Sequence, residues 1–128
     1  MSMEAKTYRD LEIWKKSMDL AIAAYRLAHL LPPEEKYNLA LQIKRTVVSI
    51  PSQIAKGWAS AQRGEFLQRL SLAQGALAEL ETLLAIAGRL NFTERDEAVE
   101  IWDQTQEVNN LLSKFIRSLR EKEKKTPS

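Results

Sequence analysis

Basic side chains form clusters along this 128-residue chain, separated by an acidic segment. Residues 36–78 carry six bases and one acid, residues 79–107 carry two bases and eight acids, and residues 114–125 carry six bases and two acids. The formal net charge of +2 therefore hides three segments of alternating sign. Clustered Lys and Arg side chains can bind phosphate groups, which makes RNA or DNA a candidate partner.

Helical spacing indicates which bases lie on the same face of a helix and could bind phosphate groups together. On an uninterrupted helix with 100° per residue, Arg45, Lys56 and Arg63 lie within about 20° of one another and form one ridge. Basic residues near the C-terminus would add a flexible auxiliary contact. The candidate nucleic-acid-binding residues are Lys44, Arg45, Lys56, Arg63, Arg69, Lys122, Lys124 and Lys125. The alternative is that these scattered bases only keep the surface soluble.

Aromatic residues that could stack on bases are not interleaved with these cations. Trp58 lies near the ridge, but its place at the edge of an apolar stripe favours packing over base stacking. Binding is therefore expected to depend on charge and shape, with little sequence selectivity.

Groups suited to catalysis or metal binding are scarce. His29 is the only histidine and cysteine is absent, which excludes sites that need two imidazoles or a thiolate. The sequence has no glycine-rich phosphate loop and no serine in a nucleophile-elbow setting. The acids from Glu94 to Glu107 are predicted to form the solvated face of a helix. We therefore expect a protein that is not an enzyme and that binds no metal or cofactor.

Apolar periodicity predicts that four helices position these charges, and the few glycines and prolines argue against an all-β fold. Asp10 is the predicted cap of the first helix, and Pro32 ends it. Asn91 ends the third helix, and Thr93 resembles the cap of the fourth. The four predicted stripes are Leu11, Trp14, Met18, Ala21, Tyr25 and Ala28; Leu39, Ile43, Val47, Ile50, Ile54 and Trp58; Phe66, Leu70, Ala73, Leu77, Leu80, Leu84 and Ala87; and Val99, Trp102, Val108, Leu112, Phe115 and Leu119.

The second stripe keeps its phase across Pro51, which predicts one bent helix in place of two. Ser52 could donate its hydroxyl to the carbonyl of Val48 and so relieve part of the lost hydrogen bonding. In the alternative, Ser49 caps a new helix that has Pro51 in its first turn. Gly57 is expected to weaken or end the helical segment ahead of the next turn.

The third helix carries a wider apolar arc than the core of one bundle normally requires. The residues beside its main seam are Leu72, Ala76, Leu83 and Leu90. This flank indicates either a central helix buried by its own bundle or an interface between subunits.

The chain has the size of one domain. We expect an N-terminal extension over residues 1–9, the helical bundle over residues 10–120 and a disordered basic tail over residues 121–128. No apolar run reaches the roughly 18 residues that span a bilayer, and the N-terminus lacks an apolar signal-peptide stretch. Together with the absence of cysteine, these features predict a cytoplasmic protein without a membrane partner.

Three segments resemble the small four-helix-bundle proteins encoded in intervening sequences of bacterial 23S rRNA genes. They are YRDLEIW at 8–14, PPEEKYNLALQIKRTVVSIPSQIAKG at 32–57 and EFLQRLSLAQGALAELETLLAIAGRL at 65–90. The resemblance covers residues 8–119, and its most specific parts are the Asp-Leu-x-Ile-Trp start and the Ser-Ile-Pro block. The same family includes the accessory variability determinant of diversity-generating retroelements.

The resemblance implies an antiparallel up-and-down bundle that assembles into a ring-shaped homopentamer. The retroelement member binds nucleic acid and a reverse transcriptase through basic surfaces, whereas the intervening-sequence members have no established activity. Two functions therefore compete: a nucleic-acid-binding accessory protein, and a structural or protein-interaction ring that recruits a partner such as a reverse transcriptase. Lys56 stands where the family commonly has an acid, which makes the predicted ridge more positive.

Overall fold

A computed structural model describes residues 5–125 of the protein and the side chains of residues 5–122. Within that range the chain forms four α-helices and two short 3-10 helices, without any strand. The helices are α1 (Glu12–His29), α2 (Leu39–Ala59), α3 (Arg63–Arg89) and α4 (Arg95–Lys125), and the 3-10 helices span Tyr8–Asp10 and Pro33–Glu35. The predicted all-α class with four helices is confirmed.

Each helix packs against its neighbours in sequence, and α1 also packs against α4, which closes the bundle. The contacts between α3 and α4 show that these helices are antiparallel. Gln74 donates a hydrogen bond to Ser113 over 3.3 Å, and further along α3 Glu81 accepts one from Gln106. The structure is therefore an up-and-down four-helix bundle, in which the α2–α3 turn and the C-terminal part of α4 lie at the same end.

The core consists of apolar side chains from all four helices. The largest fully buried apolar residues are Leu20, Ile43, Val47, Ile50, Ile54, Leu70, Leu77, Leu80, Val108 and Leu112. The predicted α2 stripe is buried from Leu39 to Ile54, and the predicted seam of α3 is buried over its whole length. Regular spacing of branched apolar residues was therefore sufficient to identify the inward faces of these two helices.

The predicted stripes of α1 and α4 were partly wrong. Trp14, Met18 and Tyr25 line an open groove beside α2. Leu11, Ala21 and Ala28 of the predicted α1 stripe are buried as expected. The other apolar core residues of α1 belong to a neighbouring stripe, namely Ile13, Leu20, Ala24 and Leu27. In α4, Val99 and Trp102 are exposed. Both helices carry apolar residues on two faces, so periodicity alone could not show which face points inward.

Pro51 lies inside one uninterrupted helix, as predicted. The Ser52 hydroxyl donates a hydrogen bond of 2.9 Å to the carbonyl oxygen of Val48, also as predicted. The alternative with a new helix at Ser49 is wrong, because Ser49 is helical and its hydroxyl donates to the carbonyl oxygen of Thr46 over 2.6 Å.

Gly57 does not end α2, which continues to Ala59. It is buried where α2 crosses α3, and a Cβ atom placed on it would lie 2.6 Å from Cδ1 of Phe66 and 3.0 Å from Cβ of Arg69. Atoms at 2.6 Å overlap, so the missing side chain is what allows the two helices to approach this closely. The glycine thus serves packing between helices, which corrects the expectation that it weakens or ends the segment.

Two of the predicted caps are corrected. The Asp10 carboxylate accepts hydrogen bonds from the backbone amides of Lys6 and Thr7, so it caps the preceding 3-10 helix and not α1. Helix α4 begins at Arg95, and the Thr93 hydroxyl is buried without a hydrogen-bond partner in the described part of the chain. Both residue types favour several local hydrogen-bonding patterns, and the neighbouring backbone selects among them.

A residue with a left-handed backbone conformation lies two positions after the end of α2 and of α3. Asn91 has a φ of 61°, and the amides of Asn91 and Phe92 donate to the carbonyls of Gly88 and Ala87, which confirms that Asn91 ends α3. Ala61 has a φ of 63° in the turn after α2. A left-handed conformation is unfavourable for alanine because its Cβ crowds the backbone.

Ala61→Gly is therefore expected to raise the free energy of unfolding by about 0.5 to 1 kcal/mol, since the strain removed exceeds the entropy that glycine adds to the unfolded chain. The matched control is Ala78→Gly on the exposed middle of α3, which should lower the same quantity by about 1 kcal/mol. Urea denaturation followed by circular dichroism measures both. If Ala61→Gly lowered the free energy of unfolding as much as the control does, the backbone at Ala61 would not be strained.

Helix α3 is the only described helix that is long and apolar enough, by length and composition, to cross a bilayer. In the bundle it packs between α2 and α4, with its seam in the core. The core helix of a bundle can have the same length and composition without crossing a bilayer. Its predicted flank is divided: Leu83 is buried and Ala76 is half-buried, whereas Leu72 and Leu90 are exposed.

Candidate nucleic-acid interface

Antiparallel packing brings basic residues from three helices to one end of the bundle. Trp58, Phe66 and Phe115 hold α2, α3 and α4 together there through edge-to-face contacts, with ring centroids 6.2 Å and 5.6 Å apart. We call the surrounding surface the basic end and define it by five exposed bases of α2, α3 and α4, namely Lys56, Arg63, Arg117, Arg120 and Lys122. The half-buried Trp58 packs on Phe66, in agreement with the packing role favoured for it.

The predicted three-residue ridge is only partly present. Arg45 and Lys56 are both exposed on α2, about 16 Å apart along the helix axis. Arg63 does not continue this ridge, because α2 ends at Ala59 and Arg63 is the first residue of α3. Arg63 nevertheless remains at the basic end, since the intervening turn is short.

Arg69 is held between helices. Its Nε donates to Oε2 of Glu65 over 2.9 Å, and its Nη1 donates to Oε1 of Gln53 over 3.2 Å. These bonds offset part of its charge and link α3 to α2. Arg69 is therefore better placed to support the surface than to contact a phosphate group.

Lys44 lies away from the basic end, in the first half of α2. Its Nζ is 5.4 Å from the ring centroid of Tyr25 on α1, which is a cation–π contact. In the sequence, no aromatic residue is interleaved with the candidate cations. Tyr25 lies close to Lys44 only because α1 packs on α2.

The C-terminal tail departs from the predicted boundary. Helix α4 continues through Lys125, so residues 121–125 are helical where disorder was expected. Arg, Glu and Lys are strong helix formers, and cations are favourable near a helix C-terminus, so the helix extends without further apolar burial. Lys122 is exposed on this segment, whereas the side chains of Lys124 and Lys125 and all of residues 126–128 lie outside the described part.

The N-terminal boundary also shifts, because Tyr8 packs edge-to-face on Trp14 with ring centroids 5.2 Å apart. Part of the predicted extension therefore belongs to the bundle.

Arg117 and Arg120 are functional candidates that sequence reasoning did not name. They line a shallow pocket with Gln74 and Glu121 beside the basic end. The excess of bases over residues 114–125 was visible in the sequence. It did not show that Arg117 and Arg120 lie at the basic end, because that position depends on the antiparallel packing of α3 and α4.

The opposite end of the bundle is acidic. We call it the acidic end, and the carboxylates in the first part of α4 and just before it are Glu94, Asp96, Glu97, Glu100 and Asp103. These side chains are exposed except for the half-buried Glu97. Glu107, further along α4, lies 3.4 Å from Nζ of Lys16 on α1. The charge alternation of the sequence thus becomes a separation of charge along the bundle axis.

Metal-ligating groups are not brought together in the part of the chain that the structure describes, where no cluster of three His, Asp or Glu residues could hold an ion. His29 is the last residue of α1 and is exposed.

Comparison with known proteins places this bundle in a family. It is similar to the crystal structure of a protein with unknown function from the S23 ribosomal protein family of Bacteroides thetaiotaomicron VPI-5482, with a TM-score of 0.77 and 26% sequence identity over 82% of this chain and 95% of that chain. A search of curated proteins found no match. The family model for 23S rRNA-intervening sequence proteins matches residues 9–114, which confirms the resemblance. The chain therefore belongs to the 23S rRNA-intervening sequence protein family.

Proposed function

We propose that this protein is a non-enzymatic accessory factor that binds RNA or DNA through the basic end with little sequence specificity. The observation that carries the proposal is the convergence of exposed bases from α2, α3 and α4 on one end, while the acids in the first part of α4 lie at the other. Such a surface attracts phosphate groups and orients the molecule toward them. No exposed aromatic accompanies the bases there among the described residues, which favours phosphate contacts over base reading.

We further propose that the protein acts as a ring-shaped homopentamer, as the family resemblance implies. One basic end offers only a few phosphate contacts. Five copies in one assembly would offer several such surfaces to one nucleic acid, and linked contacts raise the overall affinity without new chemistry. The proposed affinity therefore depends on assembly.

Replacing Lys56 and Arg63 with glutamate is expected to weaken binding about tenfold or more and to reduce its dependence on salt, because both phosphate contacts are replaced by repulsion. Fluorescence anisotropy with a structured RNA and with a DNA duplex, at about 50 mM and 200 mM salt, measures both effects. The matched control is the double variant Arg89→Glu and Arg95→Glu, which makes the same change in net charge near the acidic end and should bind like wild type.

Two results would contradict the proposal: absence of wild-type binding at low salt, or equal weakening by the two double variants. Either result would make the basic end a solvated surface and would favour the structural or protein-interaction ring, for which a reverse transcriptase is a candidate partner.

A further inference from the structure

An apolar groove of about 680 Å³ lies on the outer surface between α1 and α2. We call it the α1–α2 groove, and its main apolar residues are Trp14, Met18, Ile22, Tyr25, Val48 and Pro51. Ile22, Tyr25 and Val48 remain 49%, 39% and 42% exposed in the single chain. Contact of large apolar side chains with water is unfavourable, so a contiguous surface of this kind marks a site that a partner covers.

The charged groups at the α1–α2 groove are basic. Arg26 lines it, and Nζ of Lys44 lies over the ring of Tyr25. No carboxylate is among the described residues that line it. A complementary partner therefore presents apolar side chains flanked by acids.

Helix α4 presents such a surface near the acidic end. Val99 and Trp102 lie one turn apart and are 50% and 42% exposed. Asp96, Glu100 and Asp103 are exposed within one turn of Val99, and the exposed Arg95 is the single base in that span, so the surface is acidic on balance. We call Val99 and Trp102 the α4 knob.

We propose that the α1–α2 groove receives the α4 knob of a second copy of this chain, in a head-to-tail contact. Two grooves facing each other would bring bases together, and two knobs facing each other would bring acids together, so contact between identical surfaces is disfavoured. Groove against knob pairs opposite charges and covers both apolar surfaces. A contact between different surfaces is heterologous and leaves each new complex with one free groove and one free knob, until a ring closes.

The exposed apolar pair Ile86 and Leu90, at the C-terminal end of α3, is less complementary to the groove. Arg89 lies between these two residues in sequence, and no acid of α3 lies within one turn of either. Like charges would meet if this pair entered the basic groove. The inference rests on the homo-oligomer of the proposed function and adds the two surfaces that make the contact.

Light scattering of the full chain at micromolar concentration tests the inference with Ile22→Lys in the groove and Trp102→Lys in the knob. Wild type should be larger than a dimer, and each variant should fall to the 14.6 kDa of one chain. Ile86→Lys is the matched control, since it places the same charge on a similarly exposed apolar residue, and it should retain the wild-type mass. Circular dichroism checks the helix content, and Val48→Lys or Val99→Lys replaces any variant that does not fold.

Mixing the two variants tests the head-to-tail geometry directly. Ile22→Lys retains an intact knob and Trp102→Lys retains an intact groove, so an equimolar mixture should form a complex of two chains and nothing larger. Wild-type mass in either variant, or a mixture that stays monomeric, would overturn the inference while the homo-oligomer stands. A monomeric wild type would instead overturn the homo-oligomer itself, and the inference with it.

Discussion

Gly57→Ala is expected to lower the free energy of unfolding by about 2 kcal/mol, within the range for overpacked sites. Alanine is favoured over glycine inside a helix by about 1 kcal/mol, so helix propensity alone predicts the opposite sign. The steric effect should dominate because the new Cβ would lie 2.6 Å from Cδ1 of Phe66 and 3.3 Å from its Cα atom. Relief would require α3 to move away from α2. Urea denaturation followed by circular dichroism gives the difference in stability.

Gly75→Ala and Gly88→Ala provide the matched controls. Both glycines lie in α3, and a Cβ atom on either would have no neighbouring atom within 4 Å. Each replacement should raise the free energy of unfolding by about 0.5 to 1 kcal/mol. If Gly57→Ala behaved like these two variants, the close approach of α2 and α3 at Gly57 would be wrong.

Phe66→Ala is expected to lower the free energy of unfolding by about 3 to 5 kcal/mol, as large truncations in protein cores do. Phe66 is only 9% exposed, and its ring contacts those of Trp58 and Phe115 edge-to-face. The variant would therefore lose apolar burial and two ring contacts at the same point where three helices meet. Phe92→Ala is the control, because Phe92 is half-buried near the acidic end and should cost less.

The effects of Gly57→Ala and Phe66→Ala on the free energy of unfolding should not be additive. Truncation of Phe66 removes the atom that the new Cβ of Gly57→Ala would approach, so the double variant should be less destabilised than the sum of the single effects. Additive effects would show that the two residues do not share the same space. A loss below about 1 kcal/mol for Phe66→Ala alone would contradict its place in the core.

Local features of the fold could be predicted from the sequence. The phase of Val47, Ile50 and Ile54 across Pro51 identified one helix, because an inward face must repeat with the helical period. Asn91 ended α3 as predicted, since asparagine tolerates the left-handed conformation that a helix end often requires. Such features depend only on residues that are close together in the sequence, so a short stretch of sequence is enough to predict them.

Features that depend on contacts between helices could not be predicted in the same way. The sequence indicated that Gly57 weakens or ends α2, because glycine has a low helix propensity. Its packing role depends on Phe66, which belongs to the next helix and is not near Gly57 in the helical pattern. The apolar face with Trp14 and Tyr25 was assigned to the core because periodicity cannot distinguish a core from a groove. The hydrogen bond from Arg69 to Gln53 could not be predicted either, because it joins α3 to α2.

An even number of antiparallel helices returns the chain to the end from which it began. Helix α1 begins and α4 ends at the basic end, so a fluorophore attached at the start of α1 or at the end of α4 would lie beside the proposed phosphate-binding surface. Tyr37, which is 77% exposed, lies between α1 and α2 at the acidic end. Because the chain has no cysteine, Tyr37→Cys would create a single attachment point for a reporter far from the basic end.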